Sequence, residues 1–181
     1  MLGGVMGQLY FCSDLHLDHK NIGKHRSIVK GFFRDFENES EHREWIKEEW
    51  HRTVTKRDKV FCNGDILFSQ EALEDFRTWP GKKVLICGNH DRDNLSMEDL
   101  LTAFDEVYSL LKYREFWLSH APIHSDELRG KYNIHGHTHF HKIDDWRYYN
   151  ACVEHGIFHR LEAVRAEFNK RKLEKEYSYE L

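Results

Sequence analysis

The residues with the most to offer chemically lie in five short clusters: Asp14-Leu15-His16, Asn63-Gly64-Asp65, Gly88-Asn89-His90-Asp91, Ser119-His120 and Gly136-His137-Thr138-His139. Imidazole, carboxylate and amide oxygen together suit Mn²⁺, Fe, Zn²⁺, Ni²⁺ or Co²⁺ better than Ca²⁺, which prefers an all-oxygen cage. Asp14 and His16 are two apart, so in an extended segment both side chains leave the same face and can bind one cation. His137 and His139 repeat that spacing. A glycine beside Asp65, Asn89 and His137 allows a sharp turn or a close backbone approach. Taken singly, Asp14 or Asn89 reads as a turn or cap residue; their order and number along the chain give them weight.

These clusters need elements to position them. Short β-like runs precede them: 8–12, 59–62, 83–87, 115–119 and 132–135, with a further run at 147–151. Several are near-continuously apolar, as strands buried on both faces are. Between them, Ser40 is expected to cap a helix to about Trp50, Ser69 one to about Phe76 and Ser96 one to about Phe104, each with acidic residues in its first turn. Alternation of strand and helix implies crossover connections and an α/β sheet, whose sites lie at the strand ends. Leu161, Val164 and Phe168 recur at helical spacing in a mixed-charge segment running to about Glu176, which reads as a solvated helix docked by one apolar stripe.

The chain has 181 residues, with 40% hydrophobic residues, five Trp, eight Tyr and twelve Phe, enough for one ordered domain. We expect that domain to span 1–181, with Met1 to Gly7 a frayed start or expression remnant, Met6 being an alternative initiator, and 161–181 a terminal helix and tail. The formal charge of −4 gives no general attraction to phosphate backbones or anionic membranes. Any anionic substrate must therefore be drawn by a local site. Extended nucleic acid is disfavoured because no basic stripe tracks a backbone. No run approaches the ~20 apolar residues of a membrane span. Cys12, Cys62, Cys87 and Cys152 are widely spaced beside apolar runs and read as free thiols of a reducing compartment, so a cytoplasmic location is expected. The fourteen His are the outlier, since folding alone does not require them.

Asp14-x-His16, Gly64-Asp65, Gly88-Asn89-His90-Asp91, His120 and Gly136-His137-x-His139 resemble the five ordered motifs of calcineurin-like metallophosphoesterases. The sequences from Asp14 to Ile22 and from Leu128 to Gly136 are similar to a compact bacterial and bacteriophage branch of that superfamily. The resemblance implies a four-layer α-β-β-α sandwich of two mixed sheets. It implies two divalent metal ions, Mn²⁺ first among them: Asp14, His16 and His139 would hold one, Asn89, His120 and His137 the other, and Asp65 would bridge both. His90 and Asp65 are the catalytic candidates, with His90 at the rim stabilising the transition state or protonating the leaving oxygen. Many relatives carry a second Asp three residues beyond the bridging one to orient that His, whereas this chain reads Asp65-Ile66-Leu67-Phe68. The orienting group is left open, Asp91 being one option.

Two cations roughly 3.5–4 Å apart bind phosphoryl oxygens and acidify a shared water, so attack by a metal-bound hydroxide is the expected chemistry. The favoured substrate is a small or nucleotide-like phosphodiester, cyclic ones included. A phosphomonoesterase acting on nucleotides or phosphoproteins uses the same groups, and a non-catalytic scaffold of the same fold is a further alternative. Asn89, His90, His19, Arg26 and His124 are the substrate-contact candidates. Oligomeric state is open.

Overall fold

The computed structural model describes residues 7–22, 28–29, 32–33 and 36–177. Strand β1 (Leu9–Cys12) is followed by a short ribbon of β2 (Ile28–Val29) and β3 (Phe32–Phe33), then by α1 (Glu39–Thr53), β4 (Lys59–Cys62), α2 (Gln70–Phe76), β5 (Lys82–Ile86) and α3 (Met97–Ala103). After these come β6 (Glu106–Tyr108), β7 (Leu111–Tyr113), β8 (Phe116–Leu118), β9 (Tyr132–His135), β10 (Tyr148–Asn150), β11 (His159–Arg160) and α4 (Leu161–Tyr177). One sheet has the order β11-β1-β4-β5-β6, with β1, β4, β5 and β6 parallel and β11 antiparallel. The other has the order β10-β9-β8-β7, parallel except for β7. Both sheets are mixed, as expected for an α/β sandwich.

The period of two in β1, β4 and β5 explains the layering. Tyr10, Cys12, Val60, Cys62 and Leu85 face α1, α2 and α3, packing with Ile46, Trp50, Phe76 and Leu100. Phe11, Phe61, Val84 and Ile86 face the second sheet and meet Phe116, Leu118 and Ile134. Trp50 and Phe76 are fully buried, and removing such a side chain from water contributes about 1.5–3 kcal/mol. The apolar stripe of α4, Leu161, Val164 and Phe168, enters this inter-sheet core, Phe168 stacking 4.4 Å from Tyr132. On the outer face of the second sheet the 121–131 segment, with a 3-10 turn at Ser125–Leu128, forms the covering layer: Trp117 Nε1 donates to the Leu128 carbonyl and Tyr148 Oη to that of Ile123.

Helix starts follow side-chain caps. Ser69 and Ser96 cap α2 and α3 as expected, Ser96 in a reciprocal box with Asp99. For α1 the cap is Asn38 rather than Ser40: Asn38 Oδ1 accepts from the Glu41 N–H at 2.9 Å, placing Ser40 inside the first turn. The strands β2, β3, β6, β7 and β11, of two or three residues each, are absent from the runs expected in the sequence, because so few residues carry too little periodicity to register unless, as at β8 and β10, a longer run flanks them. Lys83, on the helix-facing side of β5, is buried and donates to the carbonyls of Phe76, Arg77 and Trp79, satisfying the end of α2. No helix among the described residues is long and apolar enough to cross a membrane.

Candidate metal centre

The clusters follow β1, β4, β5, β8 and β9, and the ends of the two sheets are tied together by a buried side chain. Asn63 Nδ2 donates to the Ser119 carbonyl at 3.0 Å and the Ile134 carbonyl at 2.9 Å, linking the end of β4 to the ends of β8 and β9. The loops after β1 and β4 run side by side, with Asp14 N–H donating to Gly64 O and His16 N–H to Asp65 O, both at 3.0 Å.

The backbone geometry differs from the extended segment assumed for Asp14-x-His16 and His137-x-His139. Asp14, His16, Asp65, His137 and His139 all have left-handed φ, between 47° and 67°. Such a conformation costs a non-glycine residue on the order of 1–3 kcal/mol and persists where surrounding contacts over-determine it. The side chains therefore converge because tight loops aim them, not because a strand presents alternate residues. Close approach also requires glycine here. A Cβ on Gly136 would meet Asp14 Oδ2 at 2.4 Å, and one on Gly88 would meet Asp65 Oδ1 at 2.2 Å.

Asp14 is fully buried, and its two oxygens have different tasks. Oδ2 accepts from Ser13 Oγ, from the His137 N–H at 2.9 Å and from Cys152 Sγ at 3.1 Å. Oδ1 lies 3.7 Å from both His16 Nε2 and His139 Nε2. Those separations are too long for hydrogen bonds and short enough for groups sharing a cation. Asp14, His16 and His139 thus bring ligand atoms within 4.8 Å of one another, and Asp14, Asp65 and His120 do the same. Asp65 Oδ2 reaches toward both groups, 3.9 Å from His16 Nε2 and 3.4 Å from His120 Nε2. Asn89 Oδ1 and His137 Nδ1 lie 2.9 Å and 3.2 Å from His120 Nε2. All seven expected ligands are therefore brought together, and two oxygen-and-nitrogen groups share Asp14 and touch through Asp65.

Tautomers are set from behind. His120 Nδ1 donates to the Asn63 carbonyl at 2.8 Å and His139 Nδ1 to Glu154 Oε1 at 3.0 Å, so both rings turn Nε2 toward the carboxylates. Electrostatics follows the same crowding. Burial works to raise the Asp14 carboxyl, but His16, His120 and Ser13 outweigh it and hold it below the usual carboxylate range. Asp65 is held low in the same way: burial is opposed by His120 and the His90 N–H. For His120 burial favours the neutral ring, yet Asp65 and Asp14 push it up to about 9. Clustered carboxylates facing imidazole nitrogens fit divalent cations as expected, with imidazole favouring a transition metal.

The supporting residues had no signal in the motifs. Glu154, buried and fifteen residues beyond His139, orients that ring. Asn150 Nδ2 donates to the His139 carbonyl at 2.8 Å and His155 Nε2 to the same oxygen at 3.0 Å, fixing the 137–141 turn. Asp91 is fully buried and accepts from backbone N–H groups, so it is not the partner of His90. Its carboxyl is pushed up by burial, against those hydrogen bonds.

The candidates for substrate contact divide. His90 is half-exposed beside the cluster, its N–H donating to Asp65 Oδ1 at 2.9 Å. His19 lies 5.2 Å from His16 and 4.7 Å from Phe68 between ring centroids, at the edge of the same group. His124 is exposed and caps the 3-10 turn, accepting from the Asp126 N–H, and none of its described contacts is with the cluster. Arg26 falls outside the described residues.

Comparison with known proteins gives the family and the fold. An uncharacterized protein of Methanocaldococcus jannaschii is 30% identical over 152 residues, covering 80% of this chain and 77% of that one. The gene 66 protein of Mycobacterium phage L5 is 30% identical over 169 residues, covering 74% and 78%. A crystal structure of a protein of unknown function from Aquifex aeolicus superposes with a TM-score of 0.66 at 24% identity, covering 88% of this chain and 98% of that one, and so shares the fold. The sequence profile of the calcineurin-like phosphoesterases matches residues 7–173, and the chain accordingly belongs to that family and is a metal-dependent phosphoesterase.

Proposed function

We propose that the protein is a dinuclear-metal phosphodiesterase acting on a small or nucleotide-like phosphodiester, cyclic ones included. The observation that carries the reading is the pair of ligand groups sharing Asp14 and joined through Asp65. Asp14, His16 and His139 would hold one cation and Asn89, His120 and His137 the other, with Asp65 between them; Mn²⁺ is the ion to test first. Two such ions supply Lewis-acid polarisation of the phosphoryl group and an acidified water.

The chain's own residues supply the rest. Glu154 and the Asn63 carbonyl keep His139 and His120 in the ligating tautomer. His90, at the exposed edge, gives a proton to the departing oxygen, a role worth typically 10²–10⁴-fold. His19 and Asn89 are the further contacts we assign to the phosphoester. A cytoplasmic setting fits the four free thiols.

The test is turnover of bis-4-nitrophenyl phosphate against 4-nitrophenyl phosphate with Mn²⁺, Zn²⁺ and Ni²⁺. Faster monoester turnover overturns the diester preference, and activity that survives chelation overturns the metal centre. His90→Ala should cut turnover with metal content nearly intact, whereas Asp65→Ala and Asn89→Ala should lower metal content. Equal metal loss in all three would show that His90 is misassigned.

A further inference from the structure

His90 has an acidic partner at a place the family pattern does not point to. Its Nδ1 donates to Asp93 Oδ2 at 2.7 Å. A turn makes the contact: the Asp93 N–H donates to the His90 carbonyl at 3.0 Å, folding residues 90–93 back so that the carboxylate meets the ring. The main chain at His90 is anchored at the same time to Asp65 Oδ1. On another side the ring lies 5.9 Å from Phe68, which itself stacks on His16 at 4.8 Å. Phe68 occupies the position where many relatives carry the orienting Asp.

We propose that Asp93 is the positioning residue for His90, doing from the following turn what position 68 cannot do in this chain. With Nδ1–H engaged by Asp93, the ring presents Nε2–H to the phosphoester. When the bond from phosphorus to the leaving oxygen breaks, the electron pair stays on that oxygen, which takes the Nε2 proton. The attacking water supplies the new oxygen on phosphorus, and the proton it sheds restores the ring. The proposal rests on the reading of His90 as the group that protonates the leaving oxygen.

Asp93 and His90 are both about half exposed, with side-chain exposures of 55% and 47%. Exposed ion pairs contribute little to stability. Loss of Asp93 should therefore leave the fold and the metals in place while disturbing the ring's orientation.

The experiment compares 4-nitrophenyl and phenyl esters, of whichever ester class the wild type hydrolyses, using the full chain with Mn²⁺. Phenol is the poorer leaving group and depends more on protonation. Asp93→Asn is expected to lower kcat on the phenyl ester roughly 10-fold more than on the 4-nitrophenyl ester, with metal content and KM unchanged. Asp93→Glu should recover part of the loss. His90→Ala should show the same discrimination more strongly, and the double variant should be no worse than His90→Ala alone. Equal losses on both esters, loss of metal, or additive losses in the double variant would overturn the positioning role. If His90→Ala itself shows no leaving-group dependence, the role given to His90 fails first, independently of Asp93.

Discussion

The carboxylate of Asp91 accepts from the backbone N–H of Asp65 at 3.0 Å, and the same side chain accepts from Ile66 at 2.9 Å and Gly88 at 2.7 Å. One buried residue thus holds the loop after β4 against the loop after β5, and with them Asp65 and Asn89, two of the proposed ligands. Asp91→Ala would leave the N–H groups of Asp65, Ile66 and Gly88 without that acceptor, each unsatisfied group costing about 1–3 kcal/mol. We expect it to lower stability by at least about 3 kcal/mol in urea denaturation and to reduce bound metal. Wild-type stability in Asp91→Ala would show that the loops are held by other contacts.

Glu154 acts on the candidate metal centre through His139 Nδ1. Removing a carboxylate that orients a ligating imidazole typically weakens metal binding 10–100-fold. Glu154→Gln should show a loss in that range by titration with Mn²⁺ or Zn²⁺, with helix and sheet content unchanged by circular dichroism. An unaltered affinity would mean that His139 is oriented by its loop alone.

Metal removal should be visible in folding as well as turnover. Asp14 and Asp65 are buried carboxylates facing a common space, and a cation that binds the folded chain stabilises it by about 2.7 kcal/mol at a hundredfold excess over its Kd. Melting temperature should fall on chelation and rise with added Mn²⁺. Asp14→Asn and Asp65→Asn should lose that response, and a response equal to the wild type would place the ion elsewhere.

His159 sets an acid limit on stability. Its ring is buried against Tyr149, whose hydroxyl donates to Nδ1 at 2.9 Å, and burial pushes its pKa down to about 4. In an unfolded chain it titrates near ~6.5. The unfolded state therefore binds the extra proton first, so this contribution is intact above about 6.5 and is lost as pH falls toward 4. The full effect of such a shift is up to about 3 kcal/mol. His159→Gln should flatten the dependence of unfolding free energy on pH in that window. An unchanged slope would assign the acid sensitivity to another group.

Much of the centre was legible because its information is local. Asp14, Asp65, Asn89, His120 and His137 each stand just after an apolar strand run, and both the residue type and the run can be read within a few positions. The five clusters in order carried the family, and the alternation of strand and helix carried the class of fold. Charge and cysteine spacing likewise needed no coordinates.

Other features depend on residues far apart in sequence, and local pattern holds no record of them. Glu154 reaches His139, Asn63 crosses from one sheet to the other, and Cys152 donates to Asp14 only because packing around Phe11, Phe61 and Phe116 brings the sheet ends together. Backbone at Asp14 and His16 was expected to be extended but is left-handed, since surrounding hydrogen bonds and not intrinsic preference decide it. Asp91 and Asp93 follow His90 in the same short segment, yet one is buried under backbone donors and the other reaches the ring. Composition and order along the chain determined which groups are available for metal and phosphate chemistry. Only the tertiary structure decided where each side chain points, because direction follows from backbone dihedrals and long-range contacts that residue identity alone does not specify.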